Sequence, residues 1–121
     1  MSIISLFYIL NATLLLLHEI ESAFEKEWKI LKLPGKITGF LILHVPIIIL
    51  LFYGLLEIEN QTRTGFIIGI IVGISGSVPF LVHKVLIKRE NHFNLFISNI
   101  IIYLNIPVGI TVSLLSISAL V

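Results

Sequence analysis

Leu14-Leu15-Leu16-Leu17-His18-Glu19-Ile20-Glu21-Ser22-Ala23-Phe24-Glu25-Lys26-Glu27-Trp28 is the stretch that decides how this chain is read. A hydrophobic run passes without a break into a cluster of acid and imidazole. About 20 helical residues are needed to cross the hydrocarbon of a bilayer, and the apolar run that opens at Ile3 is too short if it stops before His18. The first span must therefore reach to Ser22. That places His18, Glu19 and Glu21 inside the membrane or at its edge, where ionisable groups are costly to desolvate and mark a functional site by default.

Composition agrees. Of 121 residues, 57% are hydrophobic and 12% charged, with a mean hydropathy of +1.09, far from the average of a soluble domain. The expectation is an all-α integral membrane protein surrounded by lipid. The net charge is only +1, and the basic residues form no stripe with interleaved aromatics, so no nucleic-acid partner is expected. The chain has no cysteine, which excludes disulfides, thiolate metal sites and a cysteine nucleophile. Any metal must be held by His, Glu or backbone oxygen.

Four spans fit the length, over residues 3–22, 36–56, 66–87 and 92–119, making one four-helix transmembrane domain. No basic residue precedes the first apolar run and no A-x-A site follows it, so that segment is expected to be retained rather than cleaved. Beyond Ser22 the helix is expected to continue as an amphipathic extension through Lys29, with Trp28 as an interfacial anchor, until Leu33-Pro34-Gly35 stops it. The later spans each hold a proline, Pro46, Pro79 and Pro107, and the expected effect of each is a kink. The ladder Gly65, Gly69, Gly73, Ser77 is the small-x-x-x-small signal for close helix packing.

Charge sets the expected orientation. Lys26, Lys29, Lys32, Lys36, Lys84, Lys88 and Arg89 lie in or beside the first and third loops, and only Arg63 lies in the second. The positive-inside rule then puts both termini outside a multi-pass cell-membrane protein. At 1.5 Å of rise per residue, all four histidines fall in the cytoplasmic half, with His92 at the boundary as a helix-start residue. At 100° per residue, Asn11, His18 and Glu25 share one stripe of the first helix, with Ser22 on it and Glu21 one turn from His18. Asn94, Ser98 and Asn105 make a second polar stripe on the fourth helix.

A metal or proton site is therefore expected from His18, Glu21, Glu25, His44 and His83. Imidazole and carboxylate together suit zinc, iron or manganese, and facing helices of a bundle are able to supply them. The order His-x-x-Glu occurs once and the second and third spans bring no core acid, so a mononuclear site is favoured over a di-iron one. Haem between His44 and His83 ranks lower, because no feature selects that pair. Weighed against this, a lone membrane histidine is often hydrogen-bonding glue, and Glu25, Lys26, Glu27 and Lys29 read as a solvated face with i, i+4 pairing.

Leu17-His18-Glu19-Ile20-Glu21 through Glu27-Trp28, then Leu33-Pro34-Gly35, Leu43-His44-Val45-Pro46 and Tyr53-Gly54, resembles small uncharacterised bacterial membrane proteins related to the HXXEE type. The likeness covers the first half of the chain and departs at Ser22, where a second glutamate would stand. It implies a multi-span membrane protein and no particular activity.

Three classes follow. A small membrane enzyme would use His18 and Glu21 as acid, base or metal ligands on a lipid-like substrate. A proton-coupled transporter would use a titratable glutamate, although the motifs of small multidrug exporters are not matched here. An accessory or structural protein, alone or as a homo-oligomer, needs these groups only for packing. No nucleophile constellation, phosphate loop or nucleotide fingerprint separates them.

Overall fold

The computed structural model describes residues 1–86 and 95–121. His92, Asn94 and the basic loop Lys88–Arg89 lie outside the described residues. Among those described, four helical segments are long and apolar enough to cross a membrane: Ile3–Phe24, Lys36–Glu59, Arg63–Lys84 and Phe96–Leu120. The protein is an all-α, multi-pass membrane protein.

The first helix, α1 (Ile3–Phe24), starts where the Ser2 hydroxyl accepts the Ser5 N–H, satisfying one orphan donor of the first turn. It does not continue to Lys29 as the amphipathic pattern predicts. Glu25 caps it, Lys26 turns left-handed at φ 55°, and a separate turn, α2 (Glu27–Ile30), follows. Gly35, also left-handed at φ 87°, closes the loop and opens α3 (Lys36–Glu59). Thr62 then caps α4 (Arg63–Ser75) by accepting the Gly65 N–H at 3.0 Å.

The third span is not one regular helix. At Gly76 and Ser77 the N–H groups turn to the carbonyls of Gly73 and Ile74, at 3.1 and 3.0 Å. A short α5 (Val78–Phe80) follows, then a π-helical segment, Leu81–Leu86. Pro79 has no N–H to offer the preceding turn, and a Gly-Ser pair stands just before it, both recognised causes of a break. The turn leaves the Val72 carbonyl without its usual i+4 donor, and the Asn11 amide fills that role at 3.0 Å. The last helix is α6 (Phe96–Leu120).

Polarity is inverted relative to a soluble bundle. Ser5, Asn11, His18 and Ser22 of α1 and Ser98, Asn105, Ser113 and Ser116 of α6 are buried, while large aliphatic side chains cover the outside. Hydrocarbon offers no hydrogen bonds, so the polar faces turn toward each other. α6 packs most extensively against α4 and α1. Small residues bring the backbones close: a Cβ on Gly73 would sit 2.5 Å from the Gly109 carbonyl oxygen and 2.8 Å from the Ser113 nitrogen. Gly69 faces Ser116 of the same helix, whereas Gly65 meets the backbone of Glu57 and Ile58 on α3. One turn on, Gly76 faces Asn105 and Asn11.

α3 is the peripheral helix. Its buried residues are Phe40 near one end and Leu51, Gly54 and Ile58 toward the other. Tyr8 fastens the second group, donating its hydroxyl hydrogen to the Leu51 carbonyl at 2.8 Å.

Candidate functional site

The site gathers where α1 ends, α2 begins and the π-helical segment passes. His18 is the last histidine-bearing turn of the buried stripe on α1, and it meets His83 from the π segment with Nε2···Nε2 at 3.1 Å. The rings contact edge to face, 4.7 Å between centroids. The third member is Glu27, whose Oε2 lies 3.6 Å from His83 Nε2. One donor atom from each of the three lies within 4.8 Å of the others, and all three residues are buried.

Glu27 arrives through the left-handed turn at Lys26. Reversing the chain there carries the carboxylate back beneath α1, where the Ser22 hydroxyl donates to it. The reading of Glu27 as part of a solvated face is therefore corrected: it is only 7% exposed. Burial raises its pKa above the ordinary carboxylate value; the Ser22 hydrogen bond opposes that, the charge of Glu19 reinforces it and His44 again lowers it. The Ser22 oxygen also lies 3.4 Å from His18 Nε2. Two imidazole nitrogens, a carboxylate and this hydroxyl converge on one point. A cation suits such a centre.

The other expected residues go elsewhere. His44 does not join His83. Its Nδ1 contacts the Phe40 carbonyl at 2.7 Å, and its Nε2 meets Glu19 Oε2 at 2.5 Å. Because a carbonyl only accepts, Nδ1 must carry a hydrogen, and one further proton is shared across the Glu19 contact. Glu21 accepts the Ser98 hydroxyl at 2.5 Å, tying α1 to α6. Glu25 occupies the C-cap of α1. Lys84, beside His83, donates to the Asn99 side-chain oxygen at 2.6 Å. Of the five expected residues, His18 and His83 are brought together; Glu21, Glu25 and His44 are not part of that trio.

A cleft of about 610 Å³ lies beside the trio, between α1, α3 and the α4–α5 break, with His18, Glu19, Glu27 and His44 in its wall. No pattern in the sequence marked Glu27, because the turn that delivers it is built on Lys26 rather than on glycine. Glu19 was visible as an acid but not as the partner of His44, 25 residues away.

A family profile matches residues 4–119. The chain belongs to a family of unknown function, DUF6713. Neither the curated proteins nor the solved structures provide a match. Because the DUF6713 match covers nearly the whole chain, it takes in both histidines of the trio, Glu27 and the Glu19–His44 pair.

Proposed function

We propose that this DUF6713 protein is a cell-membrane protein that binds one divalent metal ion through His18, His83 and Glu27. The observation that carries the reading is the convergence of three donor atoms within 4.8 Å. A tetrahedral shell with bonds of about 2.0–2.1 Å sets its donors roughly 3.3 Å apart; the contacts of 3.1 Å and 3.6 Å lie either side of that value. Two imidazoles and one carboxylate leave a fourth position open, which is the composition of catalytic zinc sites; iron and manganese share these ligand preferences. An ion there would supply Lewis-acid chemistry at its open position. Ser22 orients the carboxylate, as outer-shell partners commonly do.

With the lysine-rich first loop in the cytoplasm, the centre would draw its metal from that side. In this reading the likeness to the HXXEE type is functional at His18, with Glu27 rather than Glu21 as the acid. The test is metal content of protein purified without a polyhistidine tag, for wild type, His83→Ala and Glu27→Gln. One equivalent in wild type and a clear loss in both variants are expected. Wild type without metal after reconstitution with zinc, iron and manganese in turn would reject the centre.

One contact favours a second reading, proton-coupled transport: the Nε2 atoms of His18 and His83 lie 3.1 Å apart, within reach for a proton to pass between them. Substrate-driven proton flux in liposomes, lost in His83→Ala and indifferent to chelators, is the outcome that would select it.

A further inference from the structure

We infer that the cleft between α1 and α3 binds a single-chain amphiphile, with its hydrocarbon chain along α3 and a hydroxyl or amine head against Glu19. This extends the metal-centre reading to a substrate class, and rests on that reading for the chemistry but not for the binding.

The cleft exists because, apart from the His44–Glu19 contact, α3 is held mainly by the residues on either side of its stretch 41–50. Phe40 is buried and packs against Trp28 with ring centroids 5.8 Å apart, and Leu51, Gly54 and Ile58 are buried further along. From Leu41 to Leu50 no residue of α3 is buried. Beside the His44–Glu19 contact this stretch leaves about 610 Å³ between α3 and the bundle, a volume in the range of small-molecule sites. From Phe40 to Leu51 the cleft follows α3 for about 16 Å, half of a hydrocarbon core roughly 30 Å thick. It therefore matches one chain of one leaflet in depth.

Its polarity runs the same way. Leu15, Ile47, Ile48, Leu51 and Val72 wall the deep part, and the charged groups gather at the loop end. A purely apolar guest would leave carboxylates facing hydrocarbon, and a purely polar one would waste the aliphatic wall. The nature of the head follows from Glu19. Its Oε2 is engaged by His44 at 2.5 Å, and among the described residues nothing is hydrogen-bonded to its other oxygen. The Glu19 side chain is 33% exposed, so that oxygen offers an acceptor. A hydroxyl or amine donates to it, whereas a fatty-acid carboxylate would meet Glu19 and Glu27 as like charges.

The experiment uses the full chain in phospholipid nanodiscs with a diazirine-bearing long-chain alcohol, metal content being measured on the same samples. Labelling is expected on residues 41–51 of α3 and 15–20 of α1, competed by excess hexadecanol and not by palmitate. Ile48→Trp, which fills the cleft, should cut it about tenfold, a loss equal to roughly 1.4 kcal/mol of binding. Ile42→Trp, on the outer face of α3 and absent from the cleft wall, should not, and Ile47→Trp repeats the test if Ile48→Trp folds poorly. Glu19→Leu should abolish the preference for alcohol over acid. Labelling spread evenly over the exposed face and uncompeted would mean annular lipid only, and overturns the inference. Equal competition by palmitate, or chain-to-chain crosslinks through this face, also overturns it. Competed labelling without metal rejects the centre alone, and metal with uncompeted labelling rejects the cleft alone.

Discussion

Ser22 and Glu27 are five residues apart, and across the end of α1 the serine hydroxyl donates a hydrogen bond to the glutamate carboxylate. A continuous helix would carry residue 27 about 7.5 Å further along its axis. The left-handed Lys26 prevents that and turns a residue of the apparent surface into part of the buried cluster.

Ser22→Ala should therefore weaken metal binding without removing a donor. Loss of such an orienting partner typically costs about 10–100-fold in affinity, and Ser22→Thr, which keeps the hydroxyl, should recover most of it. Competition titration with a chromogenic chelator measures both. Unchanged affinity in Ser22→Ala would show that Glu27 is held by the turn alone.

The turn itself is open to a second substitution. A non-glycine residue in the left-handed region carries roughly 1–2 kcal/mol of steric cost, so Lys26→Gly should leave metal content intact and raise the melting temperature. Lys26→Val, with branching at Cβ, should lower stability and metal content together. Equal behaviour of the two variants would contradict the role given to this backbone conformation.

The pH dependence follows from Glu27. Burial raises its pKa above the ordinary carboxylate value, so in metal-free protein its contribution to stability is complete below the unfolded value and is lost as pH rises through the higher folded one. Ligation requires the ionised carboxylate, so added zinc should stabilise increasingly over the same interval. Thermal melts with and without zinc, from about pH 4.5 upward, should diverge in wild type and run parallel in Glu27→Gln. Wild-type curves that stay parallel would count against Glu27 as a ligand.

Packing between α4 and α6 depends on glycine at position 73, where an added Cβ would meet backbone atoms of Gly109 and Ser113 as well as the Ser113 hydroxyl. Gly73→Leu should destabilise the bundle by about 1–3 kcal/mol or more, as overpacking does in other cores. Ile74→Leu, on an exposed position, is the control. Matching melting temperatures for the two would remove the ladder from the account of stability.

Orientation is checked separately. A cysteine replacing Val121 should react with an impermeant maleimide in intact cells. Labelling only after permeabilisation would reverse the assignment.

Much of the architecture was legible because it rests on composition and length. Apolar runs long enough to span lipid, separated by Pro34-Gly35 and by the polar stretch Glu57–Arg63, leave little freedom in the number of helices. The stripe Asn11, His18 and Ser22 was legible from helical periodicity, and all three residues are buried. Periodicity fails once the chain stops being helical. It therefore extended α1 past Phe24, put Glu25 on the stripe and left Glu27 in solvent. Pairing across helices escaped it too: depth alone placed His18, His44 and His83 together, while the azimuth of α3 gave His44 to Glu19. The break at Gly76 had a visible signal in Ser75-Gly76-Ser77-Val78-Pro79, but its consequence, a free Val72 carbonyl for Asn11, depends on which N–H groups tighten the turn.

The π-helical turn at Leu81–Leu86 gives His83 a dependence on chain length that no other member of the cluster has. A π turn accommodates an extra residue relative to the α-helix and is often found where function holds it in place. Deleting one residue from this segment would let it relax to α geometry, re-aiming the side chains that lie within and after the deleted position in the turn. Deletion of Val82, before the histidine, should turn the imidazole away from His18. Deletion of Leu86, after it, should leave the imidazole where it is. Two single-residue deletions four positions apart are thus expected to have opposite effects on the metal centre.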